Sequence, residues 1–127
     1  NHPDICLLGQ MVLGEILAGP SAKQLGKIKF CLLDCDDLTR IQRLKSRNTY
    51  GLNQDTLNWS AWLRVHTYNP QWEPHVITNN AWSGLDFSTW ANLDNWDSLA
   101  EVKIIDTTDL DLTQTSNQLK NWIINHD

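Results

Sequence analysis

The 127-residue sequence has no long apolar run. None approaches the roughly 18 residues that a membrane-spanning helix needs. The first residues lack the basic stretch and apolar core of a signal peptide, so none is expected. Positive charge is also scarce. Ten Lys and Arg stand against fifteen Asp and Glu, a net charge of −5. That argues against general nucleic-acid binding, which relies on a broad basic surface, but a small nucleotide needs only a few well-placed cations. Three cysteines give no disulfide framework and point to a reducing, cytoplasmic setting. Cys31 and Cys35 lie in or beside a predicted strand, where four residues of extended chain span about 13 Å. They do not chelate one metal ion while the strand persists, and a buried structural thiol is expected at each. The four histidines, at positions 2, 66, 75 and 126, show no metal-ligand spacing. No G-x-S-x-G elbow marks a serine hydrolase. Asn58–Trp59–Ser60 matches a glycosylation sequon but falls in a predicted helix.

Apolar periodicity is present and divides the chain into elements of a single domain, 1–127. Residues 5–8, ICLL, read as a short buried strand ended by Gly9. Gly14, Gly19 and Pro20 then argue against a long helix, and Ser21 is placed to cap a short one. The clearest strand is KIKFCLLD, 27–34. It is apolar on both faces, which predicts a central strand covered on both sides. Asp36 or Asp37 caps a helix running to about Arg47. A polar loop follows, then a helix over 55–69 ended by Pro70. Residues 70–100 read as loops with short helical turns. EVKIID, 101–106, is a strand. LTQTSNQLKNWIIN is a last helix expected to bury Leu112, Leu119, Trp122 and Ile123. Strand, helix, helix, strand, helix suits a layered α/β domain.

Two features invite a functional reading. Arg40, Arg43 and Arg47 fall within about a 60° arc of one helix, while Leu38, Ile41 and Leu44 occupy the neighbouring arc and are expected to face the sheet. A helix that leaves the carboxyl end of a buried strand borders the usual ligand site of an open α/β sheet. Arginine there suits phosphate, because its planar fork donates two parallel hydrogen bonds. The plainer account is a solvated helix face, with Asp36 or Asp37 pairing Arg40. The second feature is the seven tryptophans, three of them (Trp82, Trp90 and Trp96) in a stretch rich in Asn, Asp, Ser and Gly. They suit either a small sugar-binding module or a core whose regular elements are short, and the core is the favoured reading.

A strand ending in Asp, then a helix reading R-x-x-R-L-x-x-R, then a loop, resembles the second half of a P-loop nucleoside or nucleotide kinase. ICLLGQMVLGEILAGPSA, NWSAWLRVHTYNPQWEPHVI and VKIIDTTDLDLTQTSNQLKNWI resemble the third strand, the post-lid helix and the last strand, loop and helix of an uncharacterised bacterial branch, often labelled AAA-family ATPase or nucleoside kinase-like. The resemblance implies a three-layer parallel sheet flanked by helices, with a mobile lid at about 47–54. It implies that Arg47 reaches the transferred phosphates and that Arg43 lies on the adenine and α-phosphate side. Asp106, Thr107 and Thr108 would pass the adenine edge. Gln10, Arg64 and His66 would approach a small-molecule acceptor. ATP and Mg²⁺ would serve the full-length parent. The phosphate-cradling G-x-x-x-x-G-K-[ST] is absent from the chain. The resemblance therefore implies a fold incomplete at its N-terminus, with no kinase turnover and no bound cofactor in the isolated chain. An exposed sheet edge would then favour a partner or a homodimer. The alternatives are a non-catalytic interaction domain and a tryptophan-based sugar binder.

Overall fold

A computed structural model describes residues 5–48 and 50–125. His2, His126 and Thr49 of the expected lid lie outside them. The protein is a mixed α/β fold built on two parallel strands. In chain order the elements are α1 (Leu13–Ala18), β1 (Ile28–Asp34), α2 (Asp37–Arg47), α3 (Gln54–His66), α4 (His75–Thr78), β2 (Ala100–Asp106) and α5 (Leu112–Ile124). Single 3-10 turns cover Ala22–Gln24 and Phe87–Thr89. Strands β1 and β2 pair in register from Ile28↔Ala100 to Asp34↔Asp106.

Most element ends follow from local chemistry. Asp36 accepts the Thr39 amide and starts α2; Asn53 does the same for α3 through Thr56. Asp111 and Gln114 form a reciprocal capping box at α5. Asn48 ends α2 in the left-handed region, at φ 52°. At the other end of α5, Lys29 Nζ of β1 donates to the carbonyls of Trp122, Ile123 and Asn125, at 3.0, 3.4 and 2.6 Å. A cation there satisfies unpaired carbonyls and opposes the negative end of the helix dipole. Side chains alternate along a strand, so this fastens α5 to the Lys29 face. The opposite face sends Ile28, Phe30 and Val102 into the core.

That core is mostly aromatic. Leu13 and Leu17 of α1, Trp62 of α3, Ile77, Trp90, Trp96 and Ala100 form one buried cluster. His66 stands in it, 1% exposed. Its ring stacks on Trp62 at 4.6 Å and meets Trp96 edge-on at 5.2 Å. Val12 offers α1 no side-chain cap. The first-turn amide of Gly14 instead donates to His66 Nε2 at 3.0 Å. Indole N–H groups close the remaining backbone acceptors: Trp90 Nε1 donates to Gly14 O, Trp96 Nε1 to His66 O, and Trp62 Nε1 to Glu73 O. A Cβ at Gly14 would lie 2.7 Å from the Trp90 ring, 2.9 Å from that of His66 and 2.9 Å from Ile77. Glycine is required there by close approach.

Several expectations are corrected. Residues 5–8 form no strand and are exposed, Leu8 at 82%; with no neighbour to accept their hydrogen bonds, an apolar run does not make a strand. β1 has one strand neighbour among the described residues, not two. Leu38 does not face the sheet; it is 78% exposed, and α2 buries no residue. Leu112 and Ile123 are exposed, because α5 is drawn to the sheet by its C-terminal end. The helix expected over 55–69 ends at His66. No helix among the described residues is long and apolar enough to cross a membrane.

Burial holds the His66 pKa down, from 6.5 to about 4. The folded state therefore resists a proton that the unfolded chain accepts. Stability is full above pH 6.5, falls as pH drops from 6.5 to about 4, and levels below that. The loss expected from this group is on the order of 3 kcal/mol. Urea unfolding across pH 4–7 should show the decline, and a His66→Gln variant should lose its dependence in this window.

Candidate functional site

The carboxyl ends of β1 and β2 lie side by side, with Asp34 opposite Asp106. Asp34 is buried although it ends an otherwise apolar strand. A carboxylate taken out of water needs compensating charge, and two arginines supply it. Arg40 Nη2 of α2 donates to Oδ1 at 2.5 Å and to the carbonyl of Cys35 at 3.1 Å. Arg64 of α3 donates side-on, Nε to Oδ2 at 2.5 Å and Nη2 to Oδ1 at 3.3 Å. The bond to Asp34 is the main cause that raises the Arg64 pKa. So one strand-end carboxylate ties both following helices to the sheet. Arg40 does not pair with Asp36 or Asp37: Asp36 is occupied as the helix cap, and the buried carboxylate has the stronger need.

A second arginine of α2 reaches across to the loop after β2. Arg43 Nη1 donates to Thr107 Oγ1 at 2.8 Å and Nη2 to the Thr107 carbonyl at 2.7 Å. The Thr107 hydroxyl donates in turn to the Asp34 carbonyl, at 2.9 Å, and the Thr107 amide donates to the same oxygen at 2.7 Å. Thr108 Oγ1 donates to Asp106 and accepts from the Asp36 amide, which joins the two strand-end loops. Thr108 is also the main reason that the Asp106 carboxyl titrates below its usual range. Asp36 is lowered by its capping bonds from Thr39. Both stay ionised near neutral pH.

Over these residues opens a cleft of about 650 Å³, lined by Asp34, Cys35, Asp36, Asp37, Arg64, Tyr68, Ile104 and Asp106. Tyr68 comes from the end of α3, and its hydroxyl accepts the Ile104 amide at 3.3 Å. Among the described residues no set of three or more His, Cys, Asp or Glu is arranged to hold a metal ion. The arrangement offers ionised carboxylates as hydrogen-bond acceptors, one planar guanidinium as a donor, and loop backbone for a ring edge.

Of the residues singled out from the sequence, Arg43, Arg64, Asp106, Thr107 and Thr108 meet at this end of the sheet. Arg47 is exposed on the last turn of α2 and pairs with no carboxylate among the described residues. Gln10 sits in exposed coil before α1. His66 belongs to the aromatic core, its Nε2 turned to Gly14. Sequence reasoning gave Asp34 and Tyr68 no role and paired Arg40 with Asp36 or Asp37. For Asp34 and Arg40 a signal existed: an acid closing an apolar strand needs a cation within reach. Trp90 and Trp96 fill the core, whereas Trp82 is exposed. Cys35 is buried, and burial pushes the Cys31 thiol pKa up, as suits inert thiols.

Replacing Thr107 by Val keeps its shape but removes the hydroxyl between Arg43 and Asp34 O. We expect a cost of about 1–2 kcal/mol in urea unfolding, with the Nη1 bond lost from the Arg43 NMR signature while the Nη2 bond to the residue 107 carbonyl remains. Comparison with family models, with curated proteins and with solved structures finds no match to this chain.

Proposed function

We propose that this chain is the nucleotide-facing part of a small-molecule phosphotransferase of the P-loop kinase type, with a three-layer sheet completed by sequence outside residues 1–127. One observation carries the reading: Arg43, from the helix after β1, clamps Thr107, in the loop after the neighbouring parallel strand. Ligands of α/β sheets bind beyond the carboxyl ends of parallel strands, and this clamp shapes the two loops that meet there. The motif order of the sequence supports the same assignment.

Charge divides the site. Asp34 is neutralised, but Asp36, Asp37 and Asp106 repel a chain of phosphates laid across their part of the cleft. Phosphates therefore lie toward Arg43 and Arg47. The base edge passes Thr107 and Thr108, and the acceptor lies toward Arg64 and Tyr68. Gln10 and His66 take no direct part in this reading: Gln10 lies in exposed coil before α1, and His66 is buried in the aromatic core. The nucleotide would supply the transferred phosphoryl group. The described residues offer no ligand set for Mg²⁺, so the phosphate cradle and its metal-binding hydroxyl must come from a G-x-x-x-x-G-K-[ST] segment elsewhere. The residues here position and neutralise; transfer depends mainly on positioning and charge stabilisation. A cytoplasmic setting belongs to the same proposal, on three free thiols.

A second reading rests on a separate observation. β1 has one strand neighbour among the described residues, and Ile5, Leu7 and Leu8 are exposed in the coil before α1. An open edge with free apolar chain favours association, including a homodimer. A monomer by sedimentation at micromolar concentration would remove it.

The encoded protein, with whatever sequence it carries ahead of Asn1, should bind Mg-ATP. Its Arg47→Ala variant should lose about tenfold in turnover or affinity, the effect of one charge-assisted phosphate contact. Residues 1–127 alone should show no phosphoryl transfer. Unchanged binding and turnover in Arg47→Ala would return the arginines to a solvated helix face, and turnover by the isolated chain would overturn the division of labour.

A further inference from the structure

We propose that Asp34 is a positioning residue that presents Arg64 to the cleft as the receptor for a single phosphate group, with Arg40 as the counter-charge that makes this possible. It rests on the reading of the strand-end cleft as the ligand site and adds to it the device that orients the cation.

A buried carboxylate needs one cation to be neutral. Asp34 has two, so the triad carries one surplus positive charge. The surplus is not shared evenly. The Asp34 side chain is 9% exposed and that of Arg40 is 19%, whereas that of Arg64 is 42%. Arg40 is spent inward, on Oδ1 and the Cys35 carbonyl. Arg64 spends only its Nε–Nη2 edge on the carboxylate. Its Nη1 donates to no protein group among the described residues, although the guanidinium lines the cleft. A guanidinium gripped along one edge is fixed in plane and direction, which is the preorganisation that a planar anion receptor needs.

The surroundings narrow the ligand. Asp37 and Asp106 are close enough to Arg64 to act on its charge. A polyanion lying across the cleft would meet both carboxylates, while one compact phosphate at the free edge meets the guanidinium. Asp37 and Asp106 can then accept from hydroxyl or amino groups on the same molecule. The fitting class is a phosphate next to hydrogen-bond donors. The phosphate belongs either to the nucleotide or to a phosphorylated acceptor.

The test uses residues 1–127 for inorganic phosphate, with the Arg64 Nε–H followed by NMR. ADP is then titrated into the encoded protein, with whatever sequence it carries ahead of Asn1, because the phosphate cradle of the proposed function lies outside residues 1–127. Phosphate should shift the Arg64 signal saturably, and Arg64→Gln, which leaves the Asp34–Arg40 pair intact, should weaken phosphate by about tenfold or more. Asp34→Asn should weaken phosphate to a similar degree while the Arg64 Nε–H loses its bonded signature, and Asp34→Glu should recover part of both. Near-UV circular dichroism of the tryptophan core reports whether each variant folds; if Asp34→Asn does not, Arg64→Gln and Asp34→Glu decide. Competition between ADP and phosphate at Arg64 assigns the site to the nucleotide, and simultaneous binding assigns it to the acceptor. The inference is overturned by an absence of saturable phosphate shift at Arg64, by full phosphate affinity in Arg64→Gln, or by full affinity in a folded Asp34→Asn. If phosphate binds at Arg64 but ADP leaves Thr107 and Thr108 unmoved, the nucleotide reading fails and the anion receptor stands.

Discussion

The buried carboxylate of Asp34 is the constraint on which the rest of this end of the molecule depends. It ends β1, and it cannot remain charged in the interior without partners. Arg40 and Arg64 approach it from two helices that otherwise have weak claims on the sheet. Helix α2 buries no residue at all, so its place is set by Arg40 on Asp34 and Arg43 on Thr107. The Asp34 carbonyl in turn receives both the amide and the hydroxyl of Thr107. A single residue thus fixes the seat of the arginine helix on the sheet, the course of the loop after β2, and the direction of Arg64. Breaking a buried pair leaves an uncompensated charge and costs about 3–5 kcal/mol, whereas most surface pairs contribute under about 1 kcal/mol.

The opposite end is held by different physics. There is little regular structure between α3 and β2, and the loops are ordered by aromatic burial and by indole N–H groups that reach backbone carbonyls. His66 joins the two kinds of bonding. It accepts from α1, stacks on Trp62 and stays neutral, so it serves the core without a counter-ion. Gln71 extends the pattern by donating to the carbonyls of Trp90, Ala91 and Leu93. The division is structural: a buried aromatic end supports the sheet, while the polar end keeps Asp36 and Asp106 open to solvent.

Local signals were legible in the sequence wherever one residue dictates one geometry. The Asp36 cap, the two strands, the extent of α2 and the C-terminal helix all follow from short patterns; that the strands pair in parallel does not. Arg43, Arg64 and the 106–108 loop were singled out through a resemblance, each for a different part of a ligand; the structure shows only that they lie at one end of the sheet. What the sequence could not supply were the tertiary partners. ICLL has strand composition, but a strand needs a neighbour to accept its hydrogen bonds. Leu38 has helical spacing, but the arginines, not the leucines, decide how α2 is held. His66 was set near a substrate by the resemblance alone; a lone histidine in a helix carries no mark of burial, and its packing against Trp62 and Trp96 puts it in the core. Arg40 was matched with its sequence neighbours, and a carboxylate six residues back proved the stronger claimant.

The most direct test of this account is a thermodynamic cycle on the two arginines, read by urea unfolding. Arg40→Gln and Arg64→Gln each leave Asp34 with one cation. The double variant leaves a buried carboxylate with none. The account predicts that the double variant costs more than the two single variants together, by about 1–3 kcal/mol. Additive losses, within about 0.5 kcal/mol, would mean that the two arginines do not share Asp34, and the organising role given to it here would be wrong.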